Sequence, residues 1–196
     1  RTTVLNQLNA GRIVCLQETH WHEAAAAQWS GLFPFATVVA GPARPGPGGG
    51  WQGGTAILVP NRTRIISSRI LVPGCALECI VRTPGSQVDA AIWCVYLPPD
   101  DREAVLTALE TKSPPVGMDT FIAGDFNVHM DSGRDNSERL ILERLSAMQD
   151  RLAVAFAQAP GATRRGRKQD APIDGIALPA SIAWRWTLQL SWHGAL

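Results

Sequence analysis

Polar side chains that can do chemistry recur where apolar segments of the sequence end. Glu18 follows IVCLQ, Tyr96 ends IWCVY, Asp125 and Asn127 follow FIAG, Asp174 lies in PID, and His193 follows LQLSW. A buried strand that ends in a carboxylate, amide, phenol or imidazole places that group at the rim of a sheet, where ligands commonly bind. The recurrence along one chain indicates a shared site.

Asp125 and Asn127 stand two residues apart in the tetrapeptide Gly-Asp-Phe-Asn. In an extended segment alternate side chains share a face, so both groups can meet one ligand. Gly124 permits a bend or a close backbone approach at this point. The same four residues are also typical of a turn, and the tetrapeptide alone leaves both interpretations open.

Glu18, His20 and His22 also alternate, and an extended segment would direct three potential metal ligands to one side. Together with His129 they suggest a zinc site. A helix that begins within this segment would disrupt the alternation, and we favour that alternative.

Hydrophobic periodicity and turn signals predict the elements that must position these groups. Helices are expected over about 2–11, 22–30, 101–111 and 136–150, and strands over 12–16, 55–59, 64–72, 76–82, 90–96, 120–123, 173–178 and 184–190. Several strands are unbroken apolar runs, which indicates a sheet covered on both faces. The glycine- and proline-rich segment 41–54 is predicted to be a mobile loop. Layered sheets with helices outside fit this pattern best.

The composition is typical of a single globular domain over residues 1–196. The hydrophobic share is 45% and the charged share 18%, which excludes a disordered chain. No stretch approaches the roughly 18 apolar residues of a membrane helix. The formal net charge of +1 neither requires nor excludes a nucleic-acid partner. The four cysteines are expected to be reduced, which suits an intracellular protein.

Six motifs occur in the order found in a known family: CLQETH, GGTAILV, VYLPP, IAGDFNVH, IDGIALP and SWHGAL. The sequence resembles the endonuclease/exonuclease/phosphatase family, and within it the AP-endonuclease-like domains of non-LTR retrotransposons. The resemblance implies an α/β fold, a four-layered sandwich of two packed mixed sheets with helices outside. It also implies metal-dependent hydrolysis of a phosphate ester, with Mg²⁺ or Mn²⁺ as cofactor.

The resemblance further implies a role for each matching residue. Glu18 corresponds to the metal-binding glutamate, Tyr96 to the tyrosine that contacts the phosphate, Asp125 to the aspartate that orients or activates water, Asn127 to the asparagine that holds the phosphate, and Asp174 and His193 to the paired aspartate and catalytic histidine. These residue types suit an anionic phosphodiester, because a hard cation on oxygen ligands and preset hydrogen-bond donors offset its charge.

The chain departs from the family pattern at two points. The first strand of the family carries an asparagine near the metal, and this chain is expected to begin after that strand, as a fragment. Trp192 stands directly before His193, where the family has an aspartate. Tryptophan neither binds a metal nor accepts a proton, so this replacement predicts reduced or absent activity.

A basic run formed by Arg164, Arg165, Arg167 and Lys168 precedes the PID motif. In the family this segment lies beside the active site, which favours a nucleic-acid partner over inositol phosphate or sphingomyelin. Four cations there could neutralise several phosphates and make binding fall with salt. A merely solvated loop is the alternative.

These observations together predict a divalent-metal-dependent phosphodiesterase, an endonuclease that nicks DNA and derives from a retrotransposon. RNA is a second possible partner, no membrane partner is expected, and the domain is expected to be monomeric and nuclear. One alternative is a catalytically impaired domain that only binds nucleic acid or a partner protein. The other is a small-molecule or lipid phosphoesterase of the same fold.

Overall fold

The computed structural model describes residues 2–46, 48–128, 135–158 and 174–180. Its helices are α1 (Thr2–Asn9), α2 (Glu23–Ser30), α3 (Arg102–Glu110) and α4 (Asn136–Leu152). Its strands are β1 (Val14–Gln17), β2 (Ala36–Gly41), β3 (Arg44–Pro45), β4 (Trp51–Gln52), β5 (Thr55–Pro60), β6 (Arg64–Val72), β7 (Ala76–Arg82), β8 (Ala90–Tyr96), β9 (Asp119–Asp125), β10 (Val154–Gln158) and β11 (Asp174–Pro179).

The strands form two main sheets and one small hairpin. The larger sheet has the order β10-β11-β9-β8-β7-β6, and its β8 and β9 run parallel while the other neighbours are antiparallel. The smaller sheet has the antiparallel order β1-β5-β2. The short strands β3 and β4 pair with each other. Because β8 and β9 are parallel, their carboxyl ends lie at the same edge of the larger sheet.

Three apolar clusters fill the spaces between four layers. One lies between α1, α2 and the smaller sheet and includes Leu8, Trp21 and Leu58. The second lies between the two sheets, and the third between the larger sheet and α3 and α4. Alternation along β8 follows this division, since Cys94 belongs to the second cluster and Trp93 to the third. The predicted sandwich with helices outside is therefore confirmed.

Local signals account for most of the element boundaries. Asp135 caps α4, because its carboxylate accepts a hydrogen bond from the backbone N–H of Glu138 at 2.9 Å. The helix ends at Ala153, which adopts the left-handed conformation with φ 52°. None of the helices in the described ranges is long and apolar enough to cross a membrane.

One buried charge in the larger sheet is fully engaged by neighbours. The carboxylate of Glu78 on β7 is 2% exposed and accepts hydrogen bonds from the Arg69 guanidinium at 2.6 and 3.2 Å. It also accepts one from the indole N–H of Trp93 at 2.7 Å. These bonds compensate for the loss of hydration that burying a carboxylate entails.

The structure corrects the prediction for the glycine- and proline-rich segment. Residues 41–54 are not one loop, because they contain the hairpin β3–β4. The pairing is supported from outside, since the backbone N–H of Ala43 donates to the carbonyl of Trp21 at 2.8 Å. Two further strands, β2 and β10, were not predicted. The predicted strand over 184–190 lies outside the described residues.

Candidate active site

Three of the predicted site residues occupy one row across the larger sheet. Tyr96 is the last residue of β8, and it lies in register with Asp125, the last residue of β9. The backbone of Asp174, the first residue of β11, lies opposite Asp125 on its other side. Neighbouring strands are about 4.8 Å apart. The predicted convergence of Tyr96, Asp125 and Asp174 at one edge therefore occurs at the level of the backbone.

The smaller sheet brings Glu18 to the same edge. β1 packs across β8 and β9 and ends at Gln17, so Glu18 follows directly at the rim. The Tyr96 hydroxyl donates a hydrogen bond to Oε1 of Glu18, with 2.5 Å between the oxygens. Glu18 has a left-handed backbone with φ 51°, a conformation that costs free energy for a residue with a side chain. A carboxylate from one sheet thus meets a phenol from the other.

Main-chain hydrogen bonds join the segment after β1 to the segment before β5, and join that segment to the turn between β6 and β7. The N–H of Thr19 donates to the carbonyl of Gly54 at 3.1 Å, and that of His20 donates to Gly53 at 2.9 Å. Gly54 in turn donates to the carbonyl of Gly74 at 2.7 Å. Gly53 has φ +69°, and a Cβ atom there would lie 2.4 Å from the Gly74 carbonyl oxygen. Glycine is therefore required where this segment passes beneath Tyr96.

The surroundings of Tyr96 keep its hydroxyl protonated. Burial is the largest cause and raises the pKa of the phenol well above its ordinary value of 10. The hydrogen bond to Glu18 and the negative charges of Glu18 and Asp125 raise this pKa further, because a phenolate would be repelled by both carboxylates. Tyr96 is consequently suited to donating a hydrogen bond rather than to acting as a nucleophile.

Asp125 and Asn127 form a compact turn at the end of β9. Oδ1 of Asp125 accepts a hydrogen bond from the backbone N–H of Asn127 at 2.9 Å. The side-chain amide of Asn127 donates to the carbonyl of Leu97 at 3.0 Å, which leaves its second amide hydrogen available for a ligand. Asn127 has φ 48°. Asp125 therefore belongs to the strand and Asn127 to the turn, so each interpretation of the motif holds for part of it.

Arg102 supports this turn and was not among the predicted site residues. Its Nη1 donates to the backbone carbonyl of Asn127 at 2.5 Å and lies 3.9 Å from Oε1 of Glu138. A cation at the start of α3 opposes the helix dipole. A positive charge at this end of a helix is unfavourable, which indicates from the sequence that Arg102 forms hydrogen bonds or an ion pair with groups outside α3.

A second arginine approaches the same edge from the hairpin. Arg44 on β3 donates to Oδ2 of Asp101 at 2.8 Å, which connects the hairpin to the segment after Tyr96. The hydrogen bond to Asp101 raises the pKa of Arg44, and the nearby Cys75 and Tyr96 contribute to the increase. Sequence reasoning placed Arg44 in a loop and gave it no role.

Several predicted residues lie outside the described part of the chain. These are His193, the neighbouring Trp192, His129 and the basic residues Arg164, Arg165, Arg167 and Lys168. The alternation proposed for the zinc site does not hold, because Glu18 and His20 both have left-handed backbones. His22 caps α2, and its Nδ1 accepts from the backbone N–H of Ala25.

The oxygen groups at this edge fit a hard divalent cation. Within the described ranges no group of three or more histidine, cysteine, aspartate or glutamate side chains is arranged to hold a metal. Magnesium does not need such a group, since it is commonly held by one or two carboxylates together with water and substrate phosphate. Glu18 is hydrogen-bonded to Tyr96, and Asp125 lies in register with Tyr96 on the next strand. Glu18 would supply such a carboxylate, with Asp125 beside it.

The family model described as Endonuclease/Exonuclease/phosphatase family matches residues 2–189 of the chain. The endonuclease domain of TRAS1, a telomere-specific non-LTR retrotransposon, is similar with a TM-score of 0.64 and 14% identity, over 90% of this chain and 76% of that chain. An AP endonuclease from Leishmania major is similar with a TM-score of 0.63 and 14% identity, over 93% and 74%.

A mannosyl-6-phosphatase from Bacteroides thetaiotaomicron is also similar, with a TM-score of 0.59 and 12% identity over 91% of this chain and 76% of that chain. No curated protein sequence matches the chain significantly. At these identities the solved structures establish the fold alone. They include enzymes named for nucleic acid and for a sugar phosphate, so the fold does not choose between these substrates.

Proposed function

Because the chain belongs to the endonuclease/exonuclease/phosphatase family, we propose that it is a divalent-metal-dependent phosphodiesterase that nicks DNA. The activity is assigned to a single domain over residues 1–196. The observation that carries the proposal is the hydrogen bond between Tyr96 and Glu18 beside Asp125, because it joins two strand ends from separate sheets at one edge.

In this proposal the residues act on a phosphate that lies over the row formed by Tyr96 and Asp125. Asp125 accepts a proton from the attacking water, as the oxygen of that water forms a bond to phosphorus. Asn127 donates its remaining amide hydrogen to a phosphate oxygen, and Tyr96 turns its single hydroxyl hydrogen from Glu18 to the phosphate when the substrate binds. Negative charge increases on these phosphate oxygens in the transition state. The bond from phosphorus to the leaving oxygen then breaks, and a protonated His193, oriented by Asp174, supports that charge.

Glu18 would hold Mg²⁺ or Mn²⁺ in this site. When bound, such a cation offsets phosphate charge and lowers the pKa of bound water. Before substrate binds, the hydrogen bond from Tyr96 holds the Glu18 carboxylate at the rim, although Glu18 is exposed.

Nucleic acid is proposed as the substrate on two grounds. The similarity to the TRAS1 endonuclease domain and to an AP endonuclease supports it at the level of fold. The basic run Arg164, Arg165, Arg167 and Lys168 supports it through charge, since phosphate neutralisation dominates affinity for nucleic acid. Replacing these four residues by serine is expected to reduce the steepness with which DNA affinity falls with salt.

The test is nicking of supercoiled plasmid with magnesium by the wild type and by an Asp125→Asn variant. Loss of a general base typically costs a factor of about 10² to 10⁴ in rate, so the variant is expected to be slower by at least about a hundredfold. Asp119→Asn is the matched control, because Asp119 is an exposed aspartate at the other end of β9. It is expected to leave the rate unchanged.

Other outcomes would separate the alternatives. Hydrolysis of p-nitrophenyl phosphate without plasmid nicking would indicate a small-molecule phosphoesterase. Failure of the wild type in both assays, with nicking restored by Trp192→Asp, would indicate a domain impaired by the aromatic residue before His193. Equal nicking by the wild type and by Asp125→Asn would contradict the proposed role of Asp125.

A further inference from the structure

An exposed aromatic ring stands at the rim of the candidate active site. Trp51 on β4 is 45% exposed, although a tryptophan of a folded domain usually buries most of its surface. Two residues later, the backbone of Gly53 passes beside the ring of Tyr96, where a Cβ atom would lie 3.6 Å from Cδ1 of the tyrosine. Gly53 also accepts a hydrogen bond from His20, two residues after Glu18, so Trp51 is two residues from the segment that contacts both sides of the candidate site.

The position of the Trp51 ring is supported by a second ring. The imidazole of His22 lies 5.2 Å from the indole, centroid to centroid, with 36° between the planes. His22 is itself held as the cap of α2 by the hydrogen bond from Ala25. The imidazole therefore supports one side of the indole, and the helix cap holds that imidazole in place. The exposed part of the indole is thus held in position before any ligand binds.

The hairpin that carries Trp51 is anchored at both of its flanks. On one flank Ala43 donates to the Trp21 carbonyl and Arg44 forms the ion pair with Asp101, and on the other flank the carbonyl of Gly53 accepts from the N–H of His20. Trp51 pairs with Pro45 in the hairpin. A supported, exposed aromatic ring beside a phosphate site is the arrangement by which proteins hold single-stranded nucleic acid, since every base offers a flat face for stacking.

We propose that Trp51, backed by His22, is a stacking platform for a nucleobase next to the phosphodiester that the site cleaves. The inference rests on the proposed function and adds to it that an unpaired base is bound beside the cleavage point.

The experiment measures binding without cleavage, by fluorescence anisotropy with EDTA present. The two probes are a short labelled single-stranded oligodeoxythymidylate and a labelled polymer of the same length in which every base is replaced by an abasic tetrahydrofuran unit. Both carry the same phosphates, so their comparison isolates the bases. Stacking contributes about 1–3 kcal/mol per base, so Trp51→Ala is expected to weaken binding of the thymidylate about tenfold or more.

Three further measurements sharpen the test. Trp51→Ala is expected to leave binding of the abasic polymer unchanged, and Trp51→Phe is expected to retain most of the thymidylate affinity because phenylalanine keeps an aromatic face. Phe35→Ala is the matched control, since Phe35 is 62% exposed and lies just before Ala36, which pairs with the far end of β5 at Pro60. This control is expected to bind as the wild type does.

Two results would overturn the stacking proposal. One is an unchanged thymidylate affinity in Trp51→Ala, and the other is an equal loss for the abasic polymer, which would indicate a structural role. The outcome is separable from that of plasmid nicking. Nicking without any dependence on Trp51 refutes the platform alone, whereas Trp51-dependent binding without nicking supports the platform and refutes the proposed hydrolysis.

Discussion

Raising the pH above 10 is expected to destabilise the protein through Tyr96. The folded state raises the pKa of this phenol above its ordinary value of 10, chiefly by burial and then by the hydrogen bond to Glu18. Below pH 10 the phenol is protonated in both the folded and unfolded states, so its contribution to stability is complete. Above pH 10 the unfolded chain loses the proton while the folded protein keeps it, and stability falls.

The size of the effect follows from proton linkage. One proton bound only by the folded state changes the free energy of unfolding by about 1.4 kcal/mol per pH unit. Cys75 and Cys79 also have pKa values raised by burial, that of Cys79 to about 11, so they add to the alkaline loss. The contribution of Tyr96 is therefore obtained as a difference from a Tyr96→Phe variant, which has no phenol to ionise.

The assay combines urea unfolding with absorbance spectroscopy. Free energies of unfolding at pH 9, 10 and 11 are expected to fall less steeply above pH 10 in Tyr96→Phe than in the wild type, by about 1.4 kcal/mol per pH unit. Tyr96 is the single tyrosine of the sequence, so the phenolate absorbance of the folded protein reports this group alone. Glu18→Gln is expected to move that ionisation to lower pH, because it removes a neighbouring negative charge.

A phenolate signal that rises with a midpoint near pH 10 in the folded wild type would refute this reasoning. It would mean that the hydroxyl is exposed and does not lie against the Glu18 carboxylate. Parallel pH dependences of the wild type and Tyr96→Phe would lead to the same conclusion by a separate route.

Two other predictions concern the arginines. Arg102→Met removes the donor to the Asn127 carbonyl and is expected to lower the single-turnover nicking rate about tenfold, the equivalent of roughly 1.4 kcal/mol. The midpoint of thermal unfolding is expected to move by only a few degrees. An unchanged rate would show that the turn keeps its shape without Arg102. Arg69→Leu leaves the buried Glu78 carboxylate without its ion-pair partner and is expected to lower the free energy of unfolding, measured in urea, by about 3–5 kcal/mol. Adding Glu78→Leu to this variant should restore much of the lost stability.

Much of the fold could be predicted because its central strands carry strong local signals. The apolar runs of β5, β7 and β8 indicate strands covered on both faces, and they are buried almost throughout. The hairpin β3–β4 could not be predicted in this way, since glycine and proline are poor strand formers. Its pairing depends on the contacts of Ala43 and Arg44 with distant segments, and such contacts cannot be inferred from the local sequence.

The same division applies to the candidate site. The chemistry-bearing types of Glu18, Tyr96, Asp125 and Asn127 could be predicted because they follow apolar runs at the ends of strands. The hydrogen bond between Tyr96 and Glu18 could not, since it joins residues 78 positions apart on separate sheets. The left-handed backbone of Glu18 also arises from tertiary structure, because glutamate does not favour that conformation, whereas asparagine at position 127 adopts it readily.

The peptide hydrogen bonds beneath Tyr96 have a consequence for how this sequence can diverge. Thr19 and His20 are joined to Gly54 and Gly53 by backbone N–H and carbonyl groups, which every residue except proline provides. These bonds are therefore insensitive to most changes of side chain at Thr19, whereas His20 also requires a residue that tolerates its left-handed backbone, φ 55°. Substitution is restricted instead at Gly53, where any side chain would collide with a carbonyl oxygen. Glycine is needed there because it has no side chain, and not because of a functional group.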